Sequence, residues 1–186
     1  MFKVLQGASA LMMIAWPLMV WLSLTHPAWR WLLPFAAVLF MLRWLMLRGR
    51  QGALPLLGKW LALAGAALSL CTLFLRENSL LLWYPVMVNA VMLMLFAGSL
   101  FSRMPLVERL ARLREPELPP RGVRWTRRVT QIWSLFFIVN GSVALATCLM
   151  NNLLWWTWWN GLVSYLLMGL LMAGEWLLRQ RMRTQA

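Results

Sequence analysis

The sequence predicts an all-α, polytopic integral membrane protein. It reads as a single domain over residues 1–186, a bundle of six transmembrane helices with both termini in the cytoplasm. One interfacial amphipathic helix is expected between spans four and five. Three observations predict this. Six apolar runs fill most of the 186 residues, each close to the ~20 residues an α-helix needs to cross hydrocarbon. All of the 18 lysines and arginines except Arg30 and Arg76 fall in every second gap or at the two ends. Most of the 14 tryptophans lie near the ends of the runs, where indole rings prefer the headgroup level. With 62% hydrophobic and 12% charged residues, a soluble domain could not keep so much apolar surface from water.

The runs fall at 4–24, 29–47, 54–75, 79–101, 129–149 and 153–178. They are rich in Leu, Met, Ala and Trp without two-residue alternation, which favours helices over a barrel. The first follows Lys3 and resembles a signal peptide in that respect. It is longer than a typical h-region, however, and residues 23–27 offer no small-x-small cleavage site, so it is expected to stay as a helix. The second begins at Trp29 and Trp31 and closes on Arg43, Trp44, Arg48 and Arg50. The third carries Lys59 and Trp60 at its start, and the fourth runs from near Trp83 to just before Arg103. The fifth follows Trp125, Arg127 and Arg128. The sixth starts beside Trp155, Trp156, Trp158 and Trp159 and ends at Trp176 and Arg179, long enough to tilt or to emerge from the bilayer. The tryptophan cluster is expected to anchor at the interface, with an aromatic or acyl-chain groove as the alternative.

Orientation follows from the basic residues. By the positive-inside rule the gaps holding Arg43 to Lys59 and Arg103 to Arg128, and both ends, are cytoplasmic. An even number of spans agrees. A net charge of +13 would point to nucleic acid in a soluble chain. Here it reads instead as topogenic charge with an attraction for anionic lipid headgroups, and no nucleic-acid partner is expected.

The longest polar segment is the basic cytoplasmic loop 102–128. In its first half Leu106, Val107, Leu110 and Leu113 share one helical face, Pro105 suits a first turn, and Glu108 and Arg112 form an i,i+4 pair. Such a helix would lie on the inner leaflet. Pro116, Pro119, Pro120 and Gly122 then predict an extended return to the fifth span. The segment is either a basic connector or a docking surface for an acidic cytosolic partner, with Arg109, Arg112, Arg114, Arg124, Arg127 and Arg128 as the candidate contacts.

The stretch from Leu106 to Pro120, LVERLARLREPELPP, continuing through GVRWTRRVTQ to Gln131, resembles a loop found in a family of uncharacterised bacterial inner-membrane proteins. Tyr84 to Asn89 (YPVMVN) and Asn160 to Tyr165 (NGLVSY), with Gly174, Glu175 and Trp176, are similar to its other blocks. The resemblance covers roughly residues 84–181 well and the first three spans loosely. Members are encoded beside ketosynthases, dehydratases and acyl carrier proteins of aryl-polyene-type lipid biosynthesis. The resemblance therefore implies a pathway setting and acyl carrier protein or ketosynthase-type partners, with no catalytic residues to carry over.

Within the apolar runs, the polar residues most in need of partners are Asn89, Asn140 and Asn160, each followed by a small residue, Ala90, Gly141 or Gly161. An amide in hydrocarbon must find a partner, and a small neighbour lets another helix approach. Two readings stand. The amides either glue helices together or line a polar pocket with Ser164 and Tyr165. Glu175 is the one acid inside a predicted span, and intramembrane carboxylates are costly and often functional. A pair with Arg179, Arg127 or Arg128, near Gln131, is as reasonable as a proton-coupling role.

Chemistry is harder to find. His26 stands alone beside Pro27, so no metal site is expected. The chain has no His-x4-Asp pair, no Gly-x-Ser-x-Gly elbow and no phosphate-binding Gly loop. No catalytic residue and no cofactor is therefore assigned. Cys71 and Cys148 read as separate buried thiols, with a disulfide open to them if their helices adjoin. Three functions remain: a non-catalytic anchor or assembly factor, a lipid or polyene-intermediate transporter or flippase subunit, and an intramembrane acyl- or glycosyl-transferase. The last lacks an acid/base constellation.

Overall fold

The computed structural model describes residues 16–26, 32–49, 52–75, 78–113 and 115–184. Every regular element among them is helical: α1 (Trp16–Thr25), α2 (Leu32–Leu47), α3 (Ala53–Leu75), a 3₁₀ segment (Asn78–Trp83), α4 (Tyr84–Leu100), α5 (Leu106–Arg112), α6 (Pro120–Leu149), α7 (Leu153–Trp158), a π-helical turn (Trp159–Val163) and α8 (Ser164–Thr184). Three helical stretches, Leu80–Leu100, Pro120–Leu149 and Leu153–Gln180, are long and apolar enough to cross a membrane. Most of the first predicted run, with Trp29, Trp31 and Arg114, lies outside the described residues.

The centre of the fold is an antiparallel pair of α4 and α6. Its direction is fixed by Asn89 facing Asn140, Phe96 facing Phe137 and Leu100 facing Arg127. Gly141 makes the close approach possible, since a Cβ placed there would lie 3.0 Å from the Cβ of Asn89. Towards the connector end, Phe96, Trp133, Phe136 and Phe137 interlock with ring centroids 5.2–6.1 Å apart, a spacing typical of favourable edge and tilted contacts. At the other end α2 and α3 form a hairpin that packs on the 3₁₀ segment, burying Leu39, Phe40, Ala66, Leu81, Leu82, Tyr84, Cys148 and Trp156 together. Gly65 lets the Phe40 ring sit where a Cβ would be.

Tight polar chemistry shapes the connector. The Ser99 hydroxyl accepts from the Leu106 N–H at 2.9 Å, capping one orphan donor at the start of α5. Leu106 and Val107 pack against the Phe96–Phe137 cluster, whereas Leu113 is 78% exposed. The apolar face of α5 is thus turned partly into the bundle.

The proline-rich return differs from expectation. Only the stretch before Pro120 is non-helical; α6 starts at Pro120 and runs for 30 residues, about 45 Å at 1.5 Å per residue. Pro119 sits at the N-cap and Pro120 in the first turn, where a missing N–H costs nothing. The second half of the basic loop is therefore the exposed beginning of the helix predicted at 129–149.

The turn into α7 is made by two asparagines. Asn151 takes φ 50°, a left-handed conformation that Asn tolerates better than most residues. Asn152 accepts from the N–H groups of Leu154 and Trp155 at 3.1 and 3.2 Å, the usual N-cap arrangement.

Candidate functional site

The three asparagines of the apolar runs are all buried, at 4–6% exposure, and two of them meet. Asn140 donates to Asn89 Oδ1 at 3.0 Å, and Asn89 donates to the Pro85 carbonyl at 2.8 Å. Trp159 extends the chain by donating its indole N–H to Asn140 Oδ1 at 3.1 Å. One continuous ladder therefore joins α4, α6 and the π turn. Asn160 stands apart from it. Its amide donates to the Trp156 carbonyl at 3.0 Å and lies 3.4 Å from Thr147 Oγ1, while its own Oδ1 is buried without a partner. Of the three small neighbours, Gly141 opens a helix contact, whereas Ala90 and Gly161 are exposed. The π turn widens the helix by one residue, and the Ser164 hydroxyl donates at 2.8 Å to the Trp159 carbonyl five residues back. Tyr165 is half-buried on the following turn.

The tryptophan cluster divides. Trp155 and Trp158 face outward, as interfacial anchors would. Trp156, expected among them, is instead fully buried and donates to the Leu82 carbonyl at 2.9 Å, pinning α7 to the 3₁₀ segment. Trp159 serves the asparagine ladder. At the same end His26 is exposed with its ring edge-on to Trp21 at 6.3 Å. Cys148 is a free, buried thiol, and the Cys71 side chain lies outside the described residues.

Glu175 does not pair with Arg179, Arg127 or Arg128 as its position suggested. Its Oε2 accepts from the Trp133 indole at 3.4 Å, while Arg179 turns to Glu115 of the connector at 3.3 Å. The cause lies in the path of α8. Beyond the π turn it diverges from α6, leaving Leu166, Leu167, Leu170, Met172, Leu177 and Leu178 exposed. A wedge-shaped cavity of about 830 Å³ opens between the two helices and the connector. Phe96, Val107, Leu110, Trp133 and Met172 make its apolar wall; Glu115, Glu117, Arg121, Glu175 and Arg179 are its charged lining. A smaller space of about 210 Å³, between Val129, Ile132, Leu170 and Leu178, shares Trp125, Trp133 and Glu175 with it.

The arginines of the connector also divide. Arg109 donates to the Met104 carbonyl and to Ser102, and Arg112 holds the buried Glu108 carboxylate at 2.8 Å and the Pro116 carbonyl at 2.9 Å. Arg127 donates to Leu100 O at 3.2 Å, one of the carbonyls left open at the end of α4. These three brace the connector. Arg121, Arg124 and Arg128 are exposed and pair with no described residue. At i, i+3 and i+7 they form one stripe, which continues along α6 as exposed Ile132, Leu135 and Val139. Among the described residues no His, Cys, Asp or Glu group could hold a metal ion.

Trp133, Glu115 and Arg121 are functional candidates that the sequence did not single out, whereas Trp159 was read there as an anchor or groove residue and not as a partner of Asn140. The aromatic run Trp133, Phe136, Phe137 was a visible signal for the first of these; the others depend on tertiary placement. Comparison with protein-family models, curated proteins and solved structures found no match for the chain.

Proposed function

We propose that this chain is a six-span protein of a bacterial inner membrane, with both termini and the connector in the cytoplasm and α5 at the interface. It acts as a non-catalytic anchor or assembly factor for lipid or aryl-polyene-type biosynthesis, the setting its resemblance implies, and docks acyl carrier protein or ketosynthase-type enzymes. The observation that carries this reading is the stripe of Arg121, Arg124 and Arg128, exposed on one face of α6 and paired with no described residue. An acidic carrier protein would be drawn to it at long range, chiefly through a faster association. The test is capture of a purified acidic carrier protein by the full chain in detergent. Arg124→Glu with Arg128→Glu should abolish capture, and raised salt should weaken it, because exposed charges are screened beyond about 8 Å at physiological ionic strength. Capture indifferent to both would reduce the stripe to topogenic charge.

The wedge between α6 and α8 favours a second reading, a lipid or polyene-intermediate transporter or flippase subunit, because it offers an apolar bay with charge at one end. Substrate-dependent movement in sealed vesicles separates that reading from docking.

A further inference from the structure

We infer that the wedge between α6, α8 and the connector is a binding site for one zwitterionic aminophospholipid. An acyl chain lies along its apolar wall, and the head sits among Glu115, Glu117, Glu175, Arg121 and Arg179. This inference shares Arg121 with the docking stripe but does not rest on carrier docking, and needs only that these helices lie in a bilayer.

The first step concerns depth. On the stripe of α6 the outward residues change from Arg128 to Ile132 within one turn, and on α8 from Leu178 to Arg179 in a single step. These two levels mark where hydrocarbon ends. From Ile132 to the end of α6 at Leu149 is 18 residues, about 27 Å, close to the ~30 Å of a hydrocarbon core. Trp133 and Glu175 then lie about one turn inside the boundary. The charged mouth is at headgroup level and the apolar wall at acyl level.

The second step concerns filling. In hydrocarbon there is no hydrophobic force to close a gap between helices, because lipid tails are as apolar as the side chains. Polar contacts such as Glu175 with Trp133 and Arg179 with Glu115 tie this half of α8 to the rest. At about 830 Å³ the space is within the ~300–1,000 Å³ of small-molecule sites. An acyl chain is the filler that the surroundings supply.

The third step selects the head. The Glu115–Arg179 ion pair spans the mouth at 3.3 Å, and both side chains are more than a third exposed. A head carrying phosphate and a primary ammonium can enter this pair and satisfy both members, phosphate to Arg179 and Arg121, ammonium to Glu115, Glu117 or Glu175. An anionic head satisfies the arginines but brings net negative charge beside three carboxylates with no cation to offset it, so like charge disfavours it. A choline head is zwitterionic but lacks N–H donors for them.

The experiment uses the full chain, purified and delipidated in detergent, with retained lipid read by native mass spectrometry. The probes are phosphatidylethanolamine, phosphatidylglycerol, phosphatidylcholine and oleate, each at equal concentration. One phosphatidylethanolamine per chain should be retained with about tenfold preference over phosphatidylglycerol, equivalent to about 1.4 kcal/mol. Glu115→Gln and Glu175→Gln, both isosteric, should bring that ratio towards one. Leu110→Trp, which fills the apolar wall, should lower retention of every lipid. Equal retention of the two phospholipids by the native chain would overturn the assignment, as would a ratio unmoved by both glutamine variants. So would a second copy of the chain held in place of lipid. Because the carrier-capture test rests on Arg124 and Arg128, either proposal can fail without the other.

Discussion

The Asn140 amide donates to the Asn89 side-chain oxygen at 3.0 Å, directly beside the point where Gly141 brings α6 against α4. The two residues are 51 apart in sequence, and together they set the register of the central helix pair. The Asn89 side-chain N–H also donates to the Pro85 carbonyl and Asn140 Oδ1 also accepts from Trp159, but among the described residues Asn140 Nδ2 and Asn89 Oδ1 have only each other. Replacing either with Leu strands the survivor, which costs about 1–3 kcal/mol for a buried polar group. Replacing both should cost less than the two single changes added together. A double-mutant cycle by reversible unfolding in mixed micelles should give a coupling of about 0.6–2 kcal/mol. Additivity within about 0.5 kcal/mol would show that the contact contributes nothing specific.

Gly141 and Gly174 provide a matched pair. A Cβ at Gly141 would lie 3.0 Å from Asn89 Cβ, whereas at Gly174 it would meet nothing within 4 Å. In an open helix position Ala is favoured over Gly by about 0.8–1.0 kcal/mol. Gly174→Ala should therefore be neutral or stabilising. Gly141→Ala must push the helices apart and should destabilise, by about 1–3 kcal/mol as overpacking does. Thermal unfolding of the two variants side by side decides the matter. The same sign for both would mean the α4–α6 approach is looser than its geometry indicates.

The helical runs were legible because apolar stretches of spanning length leave few alternatives. The helix at Ala53–Leu75 falls on the run read at 54–75, and α7 with α8 begins where the run at 153–178 begins. That a buried amide turns inward likewise follows from the cost of hydrocarbon exposure. What it meets does not follow, since Asn89, Asn140 and Trp159 come together only through the register of three helices. The prolines at 119 and 120 misled because they break a helix when internal yet begin one when first. Glu175 misled for a different reason. Arg179 lies one turn away along the helix, but divergence of α8 after a single-turn π segment aims it at Glu115 instead. The course of α8 relative to α6 leaves no mark in the apolar pattern, so the wedge between them was invisible there.

Glu108 is 3% exposed, and Arg112 reaches it with two guanidinium nitrogens at 2.8 and 2.9 Å. Removing the arginine alone leaves a buried carboxylate without its cation. Arg112→Ala should cost about 1–3 kcal/mol, at the lower side of buried pairs because the guanidinium itself is partly exposed. Arg124→Ala, on the exposed stripe, should stay within about 0.5 kcal/mol of the native chain. Limited proteolysis of the connector offers a direct readout: faster cleavage between α5 and α6 is expected for Arg112→Ala and not for Arg124→Ala. Equal cleavage of both would mean the pair does not hold the connector.

The topology prediction rests on charge and on length together. The connector carries exposed arginines at both of its ends, and α6 exceeds the hydrocarbon thickness by roughly the three turns that bear Arg121, Arg124 and Arg128. Moving those turns across a bilayer would oppose the positive-inside bias, so the connector should stay in the cytoplasm. The short Asn151–Asn152 turn, free of charge and flanked by exposed Met150, Leu154 and Trp155, belongs on the other side. Reporter fusions after Arg50, Leu118 and Ala186 should therefore register as cytoplasmic. Fusions after His26, Asn78 and Asn151 should register as periplasmic. A periplasmic signal at Leu118 would invert α4 and α6 together. It would also place the arginine stripe where no cytosolic carrier protein can reach it, ending the docking proposal, while the lipid site would survive in the opposite leaflet.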